Sequence, residues 1–99
     1  MKSPNFFLVG APKCGTTALF HYLNMHPQVF SPRIKEPNYF CEDFSDIRAV
    51  HDEPGYAALY ADRKASEIAA GDASVCYMYS DVALKNIYRY NPDSKIIVM

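Results

Sequence analysis

The feature that most constrains the fold is an apolar run that ends in a glycine-bounded loop and a helix start. The run Phe6–Val9 stops at Gly10, and Lys13 precedes the segment Gly15–Thr17. A strand followed by such a loop brings backbone N–H groups and the positive end of a helix dipole, roughly half an elementary charge, to one point. The sequence therefore predicts a phosphate-binding loop, and with it a nucleotide ligand.

The position of the lysine distinguishes this loop from the common nucleotide-binding loop. In that loop, G-x-x-x-x-G-K-S/T, the lysine follows the second glycine. Gly10 and Gly15 keep the glycine spacing, but Lys13 comes before the second glycine and Thr16 stands where the common lysine would be. A nucleoside-triphosphate kinase or NTPase fits this order poorly, and it is kept as the alternative function.

Three segments together resemble sulfotransferases that use 3′-phosphoadenosine 5′-phosphosulfate (PAPS). Residues 12–17, P-K-C-G-T-T, are similar to the 5′-phosphosulfate loop of that family. Residues 35–40, K-E-P-N-Y-F, resemble the K-E-P-x-aromatic-F segment of its glycosaminoglycan-type and bacterial members. Residues 71–77, G-D-A-S-V-C-Y, resemble their G-E-x-S/T-P-x-Y segment. The resemblance implies an α/β, P-loop-like three-layer fold with a parallel sheet, of which residues 1–99 are the N-terminal part of a single domain.

The resemblance also implies a cofactor site on the loop. Sulfuryl transfer moves an SO₃-like group to an oxygen or nitrogen, and the leaving phosphate needs positive charge on its bridging oxygen, as in phosphoryl transfer. Lys13 would supply that charge as a catalytic and cofactor-binding residue. The other cofactor-binding residues expected for PAPS are Cys14, Gly15, Thr16 and Thr17. This chemistry requires no metal, and none is expected.

Glu36 is the general base that the K-E-P resemblance implies. Partial burial would raise the pKa of its carboxyl group and let it take the proton of a hydroxyl or amine. The competing interpretation is a surface glutamate paired with Lys35 or Arg33. Three histidines are rival bases, although they do not match the family's histidine segment: His21, His26 and His51.

Asp72 and Ser74 fall where the family lines its acceptor pocket, and they are the predicted substrate-binding residues. Asp72 replaces the usual glutamate, Val75 replaces the usual proline, and Ala73 stands where some members have a lysine. These departures weaken the expectation of a sulfated-polysaccharide substrate. The acceptor is expected to be a hydroxyl or amine of a small molecule or a carbohydrate.

Composition excludes several other classes of protein. The 99 residues carry a formal charge of −1, with 49% hydrophobic and 21% charged residues, which argues against nucleic acid as a partner. No apolar stretch approaches the roughly 20 residues of a membrane span. Three cysteines, Cys14, Cys41 and Cys76, are expected to be free thiols in a reducing compartment. A cytoplasmic enzyme without a membrane partner is predicted, and its oligomeric state is left open.

The periodicity predicts alternating strands and helices. A first helix over residues 15–25 would bury Ala18, Leu19, Tyr22 and Leu23, and a second strand would span residues 67–71. Asp81 would cap a helix with an apolar stripe, and residues 95–99 would form a strongly buried strand. The predicted stripe consists of Val82, Leu84, Ile87 and Tyr88.

The last residue, Met99, lies inside that predicted strand, so the sequence is expected to be truncated. In the family, an arginine and a serine that hold the 3′-phosphate of the cofactor follow this strand. Residues 1–99 alone are therefore expected to bind PAPS weakly and to be inactive. A non-catalytic fragment or pseudoenzyme is the further alternative.

Overall fold

The computed structural model describes residues 3–10, 16–30, 32 and 36–98. In these residues four parallel strands form one sheet in the order β2-β3-β1-β4. The strands are β1 (Phe6–Gly10), β2 (Val29–Phe30), β3 (Ala69–Ala73) and β4 (Lys95–Val98). The helices are α1 (Thr16–Asn24), α2 (Glu53–Ala58) and α3 (Ala83–Tyr90), with 3₁₀ segments at Glu42–Ile47 and Val75–Met78. The predicted α/β fold with a parallel sheet is confirmed.

Strand β1 lies between β3 and β4, and all five of its residues are buried. Phe6 pairs with Gly71 of β3 on one side and with Lys95 of β4 on the other. A continuous apolar run suits a strand with both faces covered. Because the strands are parallel, the carboxyl ends of β1 and β3 lie at the same edge of the sheet. This edge is where α/β sheets bind ligands.

The two faces of β1 meet different surroundings. On the helix face, Phe6 and Leu8 form a small apolar cluster with Phe20 of α1 and Ala73. On the opposite face, here called the tyrosine face, Phe7 and Val9 belong to a larger buried cluster built from the rest of the chain. Its aromatic members are Phe40, Tyr56, Tyr60 and Tyr77, with Phe30, Tyr39 and Tyr90 packed against them.

Helix α1 confirms the predicted element but buries a different face. Phe20 is buried, and Leu19 and Leu23 pack beside it, whereas Ala18 is exposed and Tyr22 is 70% exposed. By helical spacing alone, either Phe20 or the pair Ala18 and Tyr22 could be buried beside Leu19 and Leu23. Phe20 is the residue that reaches Phe6, at 6.4 Å between ring centroids. The prediction that Ala18 and Tyr22 are buried is wrong.

Strand β3 begins and ends two residues later than the predicted range of 67–71, so Asp72 is a strand residue. The difference follows from its pairing, in which Gly71, Asp72 and Ala73 align with the first three residues of β1. Strand β4 is confirmed, but its predicted burial is wrong: Ile96 is 44% exposed and Val98 57% exposed. Within the described residues β4 pairs with β1 alone, which leaves it at an edge.

Helix α3 is present, but Asp81 does not cap it. Ser80 Oγ accepts hydrogen bonds from the N–H groups of Val82, at 3.2 Å, and Ala83, at 3.0 Å. The predicted stripe is half wrong. Ile87 is buried together with Ala83, while Leu84 and Tyr88 are exposed on another side of the helix. The small Ala83 side chain lets the helix lie close to the core.

Candidate functional site

The phosphate-binding loop was predicted between β1 and α1, and these two elements stand on either side of it as expected. Lys13, Cys14 and Gly15 lie outside the described residues. Thr16 and Thr17 open α1, and only their helical backbone is described. Gly10 ends β1 close to the 3₁₀ segment Val75–Met78, where a Cβ atom would lie 2.8 Å from Met78 Sδ. The cofactor-binding roles of the loop residues stay predictions.

Glu36 lies at the surface, and the segment that follows it is held firmly. Glu36 is exposed, Pro37 is buried, and Asn38 adopts a left-handed backbone conformation with φ of 54°. Asparagine tolerates this conformation better than most residues because its short polar side chain can hydrogen-bond locally. The predicted partners Lys35 and Arg33 lie outside the described residues. Because Glu36 is exposed, the expectation that its carboxyl group is partly buried is wrong. Its role as a base stays a prediction.

Three hydrogen bonds fix Asn38. Its N–H donates to Ser74 Oγ at 3.1 Å, and its side-chain Nδ2 donates to the Ile47 carbonyl at 3.0 Å. Its Oδ1 accepts from Cys76 Sγ at 2.8 Å. The thiol of Cys41 hydrogen-bonds Cys76 in turn, which lowers the pKa of Cys76 and raises that of Cys41. Residues 36–41 are thereby tied to the end of β3 and the segment after it.

Asp72 is the centre of this arrangement. It is fully buried, and three hydroxyl groups donate to its carboxylate. Tyr56 Oη and Tyr77 Oη donate to Oδ2 at 2.6 and 2.8 Å, and Ser74 Oγ donates to Oδ1 at 2.7 Å. Ser74 thus donates to Asp72 while it accepts from Asn38. The three hydroxyls replace the water that a carboxylate would otherwise bind.

Burial raises the pKa of Asp72 from its usual 3.8 to about 6. The hydrogen bonds from Tyr56, Ser74 and Tyr77 favour the charged form and lower the pKa, while the negative charge of Glu36 raises it. Desolvation is the largest of these effects, because a fully buried carboxylate loses its hydration. Burial, followed by the charge of Asp72, raises the pKa of Tyr56 and Tyr77 as well. At neutral pH the cluster is therefore a carboxylate held by neutral hydroxyls.

Glu36 lies close enough for its charge to act on Asp72, although the sequence analysis assigned the two residues to separate segments, 35–40 and 71–77. Asp72 and Ser74 are both fully buried. Their assignment to the acceptor pocket stays a prediction. Asn38, Tyr56 and Tyr77 were missed as members of this site, since tyrosines at regular spacing are usually core residues. The available signal was an aspartate next to an apolar strand, because a buried carboxylate needs donors.

The histidines have ordinary surroundings. His26 Nδ1 accepts a hydrogen bond from the N–H of Gln28 at 3.1 Å, as expected of a residue in the turn after α1. His21 is exposed on α1. His51 is exposed and lines a cavity of about 380 Å³ together with Tyr39, Arg48, Arg89 and Tyr90.

Among the residues whose structure is described, no group of three or more His, Cys, Asp or Glu residues could hold a metal ion. Within the same ranges, no helix combines the length and the apolar character that crossing a membrane requires.

A parallel sheet whose interior strand β1 ends at a glycine, with helix α1 as the next described element, defines the class as a P-loop-like α/β protein. The crystal structure of a sulfotransferase from Alicyclobacillus acidocaldarius matches the whole of this chain with a TM-score of 0.89 and 34% sequence identity. The chain covers 44% of that protein. The predicted P-loop-like fold is therefore confirmed over the described residues.

A second relative matches at the level of sequence. Carbohydrate sulfotransferase 15 of Homo sapiens, Rattus norvegicus and Mus musculus is 49% identical over 37 residues, which are 37% of this chain and 7% of each relative. No family model matches the chain. With the bacterial structure, these similarities confirm the predicted resemblance to sulfotransferases, and the chain spans less than half the length of these relatives.

Proposed function

We propose that the protein containing this sequence transfers a sulfuryl group from PAPS to a hydroxyl or amine acceptor. The observation that carries the proposal is the match of the entire chain, at 34% identity, to a bacterial sulfotransferase. The order of residues around Lys13 also supports the proposal. The lysine precedes the second glycine, as in the loop that binds the 5′-phosphosulfate of PAPS in the sulfotransferases that the sequence resembles. The similarity to carbohydrate sulfotransferase 15 supports a carbohydrate as one acceptor class.

The proposed roles follow from the charges that sulfuryl transfer creates. The acceptor oxygen or nitrogen forms a bond to sulfur as the bond from sulfur to the bridging phosphate oxygen breaks. Glu36 takes the acceptor proton, and Lys13 stabilises the negative charge that the leaving phosphate acquires. The N–H groups at the start of α1, including those of Thr16 and Thr17, bind the phosphate oxygens. PAPS supplies the activated sulfuryl group, and the protein supplies position and charge.

The test is the transfer of labelled sulfate from PAPS by the full-length protein to hydroxyl and amine acceptors, small molecules and carbohydrates alike. Glu36→Gln should lower kcat by about 10²–10⁴-fold, the usual contribution of a general base. Glu53→Gln is the matched control, because Glu53 is also exposed and begins α2. Lys13→Ala should abolish measurable transfer, and Lys85→Ala, a change of an exposed lysine on α3, should not.

Three results would contradict the proposal or one of its assigned roles. Tighter binding of ATP with magnesium than of PAPS, in a competition assay, would favour the nucleoside-triphosphate alternative. Loss of activity in a variant of His21, His26 or His51, with full activity in Glu36→Gln, would move the base to that histidine. Absence of both transfer and PAPS binding would favour a non-catalytic relative. Cytoplasmic location stays a prediction.

A further inference from the structure

The hydrogen bonds around Asp72 form a continuous path to the segment that carries Glu36. Asp72 Oδ1 accepts from Ser74 Oγ at 2.7 Å, and Ser74 Oγ accepts from the Asn38 N–H at 3.1 Å. Asn38 lies two residues after Glu36, with the buried Pro37 between them. A single serine hydroxyl thus joins a strand in the core to a surface segment 36 residues away in sequence.

The geometry of Asn38 requires such a connection. A non-glycine residue with positive φ is uncommon, and it persists where the surrounding contacts determine it. Here the N–H and Oδ1 of Asn38 bind Ser74 and Cys76 in the segment after β3, and its Nδ2 binds the Ile47 carbonyl. The direction in which the chain leaves Pro37 toward Glu36 is therefore set by tertiary contacts rather than by local preference.

The ionised state of Asp72 makes the connection stronger. A hydroxyl that donates to a carboxylate forms a shorter and stronger bond than one that donates to a neutral acceptor. The Ser74 hydroxyl donates its hydrogen to Asp72, so its oxygen is free to accept the hydrogen bond from the Asn38 N–H. Tyr56 and Tyr77 satisfy the other carboxylate oxygen, so Asp72 stays ionised in the core without a described cation.

We propose that Asp72 and Ser74 are positioning residues which, through Asn38, hold the Glu36 carboxylate in place for proton transfer. This inference rests on the proposed function, because the position of Glu36 matters to catalysis only if Glu36 is the base. It assigns the two buried residues a role other than contact with the acceptor. Loss of the Ser74 hydroxyl should then lower kcat and leave the KM for PAPS unchanged.

A pair of variants that differ only by a hydroxyl tests the path. Ser74→Thr keeps the oxygen, and Ser74→Val has nearly the same shape without it. Hydrogen exchange at the Asn38 amide should be at least about tenfold faster in Ser74→Val than in Ser74→Thr, since an amide that loses its acceptor opens more readily. The kcat of Ser74→Val should be about tenfold lower than that of Ser74→Thr. Ser74→Ala replaces the valine variant if the added volume prevents folding.

Tyr60→Phe is the matched control in the same buried cluster. It removes a tyrosine hydroxyl that donates to the Gly71 carbonyl at 2.8 Å instead of to Asp72. We expect the wild-type exchange rate at Asn38 and the wild-type kcat. A purely structural role of the cluster predicts instead that Tyr60→Phe and Ser74→Val lower kcat in proportion to their loss of stability, and that result would overturn the inference.

The remaining outcomes separate this inference from the proposed function. Equal exchange at Asn38 in Ser74→Thr and Ser74→Val refutes the connection, whatever the activity. Faster exchange with an unchanged kcat, while Glu36→Gln is inactive, refutes the positioning role alone. Wild-type protein that transfers no sulfate overturns the proposed function and the role of Glu36 together, and the exchange rates still decide whether the serine hydroxyl holds the segment.

Discussion

The two faces of the sheet differ in the kind of interaction that holds them. The helix face contains a small apolar cluster in which Phe6 and Leu8 meet Phe20 of α1. The tyrosine face contains a fully buried carboxylate, Asp72, among aromatic side chains whose hydroxyls satisfy it. Apolar packing tolerates small changes of shape, whereas a buried charge does not tolerate the loss of its donors. The candidate site lies on the face with the stricter requirements.

The largest expected effect is on the tyrosine face. Asp72→Ala leaves the hydroxyls of Tyr56, Tyr77 and Ser74 without their acceptor, and each buried unsatisfied group costs about 1–3 kcal/mol. We expect the free energy of unfolding in urea to fall by about 4 kcal/mol. Asp62→Ala, at an exposed position, should change it by less than about 0.5 kcal/mol. Equal values for the two variants would refute the importance of the cluster.

The helix face should respond to the loss of volume. Phe20→Ala removes the ring that packs against Phe6, and phenylalanine-to-alanine changes in cores usually cost about 3 kcal/mol or more. Tyr22→Ala, on the same helix at a position that is 70% exposed, should cost less than about 0.5 kcal/mol. Urea unfolding of both variants measures this. A greater loss for Tyr22→Ala would mean that α1 packs through another face.

The pH dependence of stability should distinguish the faces. The pKa of Asp72 in the folded protein, about 6, is above its usual 3.8, so the folded state binds the proton more tightly than the unfolded state. Between these two values stability therefore falls as pH rises, by up to about 3 kcal/mol from this group. The test is urea unfolding of the wild type and of Asp72→Asn at pH 4 and pH 7. The change in unfolding free energy between the two pH values should be larger in the wild type by this amount. In Phe20→Ala, the free energy of unfolding should depend on pH as it does in the wild type.

The smallest effect compares two tyrosine hydroxyls within one face. Tyr56→Phe removes a hydrogen bond to a carboxylate and should cost about 2 kcal/mol, because bonds to charged groups are worth more. Tyr60→Phe removes a bond to a backbone carbonyl and should cost about 1 kcal/mol. Thermal unfolding of the two variants shows which of them loses more stability. The reverse order would show that Asp72 is protonated in the folded protein at neutral pH.

Much of the fold was predictable where local sequence dictates the structure. The run Phe6–Val9 is apolar throughout, which suits a central parallel strand, and α1 follows the loop as expected. Burial was predicted less well because it depends on neighbours. Ile96 and Val98 have the composition of a buried strand, yet β4 lies at an edge of the described sheet.

The cap of α3 shows the same limit on a smaller scale. Ser80 and Asp81 are both good capping residues, so the sequence does not choose between them. Asp43, from the 3₁₀ segment Glu42–Ile47, accepts from Ser80 Oγ at 2.5 Å and from the Asp81 N–H at 2.8 Å. This contact holds Ser80, whose Oγ accepts from the Val82 and Ala83 N–H groups at the start of the helix. The hydrogen bond from Ser80 also lowers the pKa of Asp43.

The sequence by itself determined the class of protein, because the loop after β1, the K-E-P segment and the G-D-A-S segment are local patterns with recognisable chemistry. It also picked out Glu36, Asp72 and Ser74 as residues of interest. Only the tertiary structure decided that Asp72 is buried among hydroxyls and joined to Asn38 through Ser74. Those contacts link positions that are distant in sequence, and the burial that shifts the pKa of Asp72 exists only after the chain has folded around it.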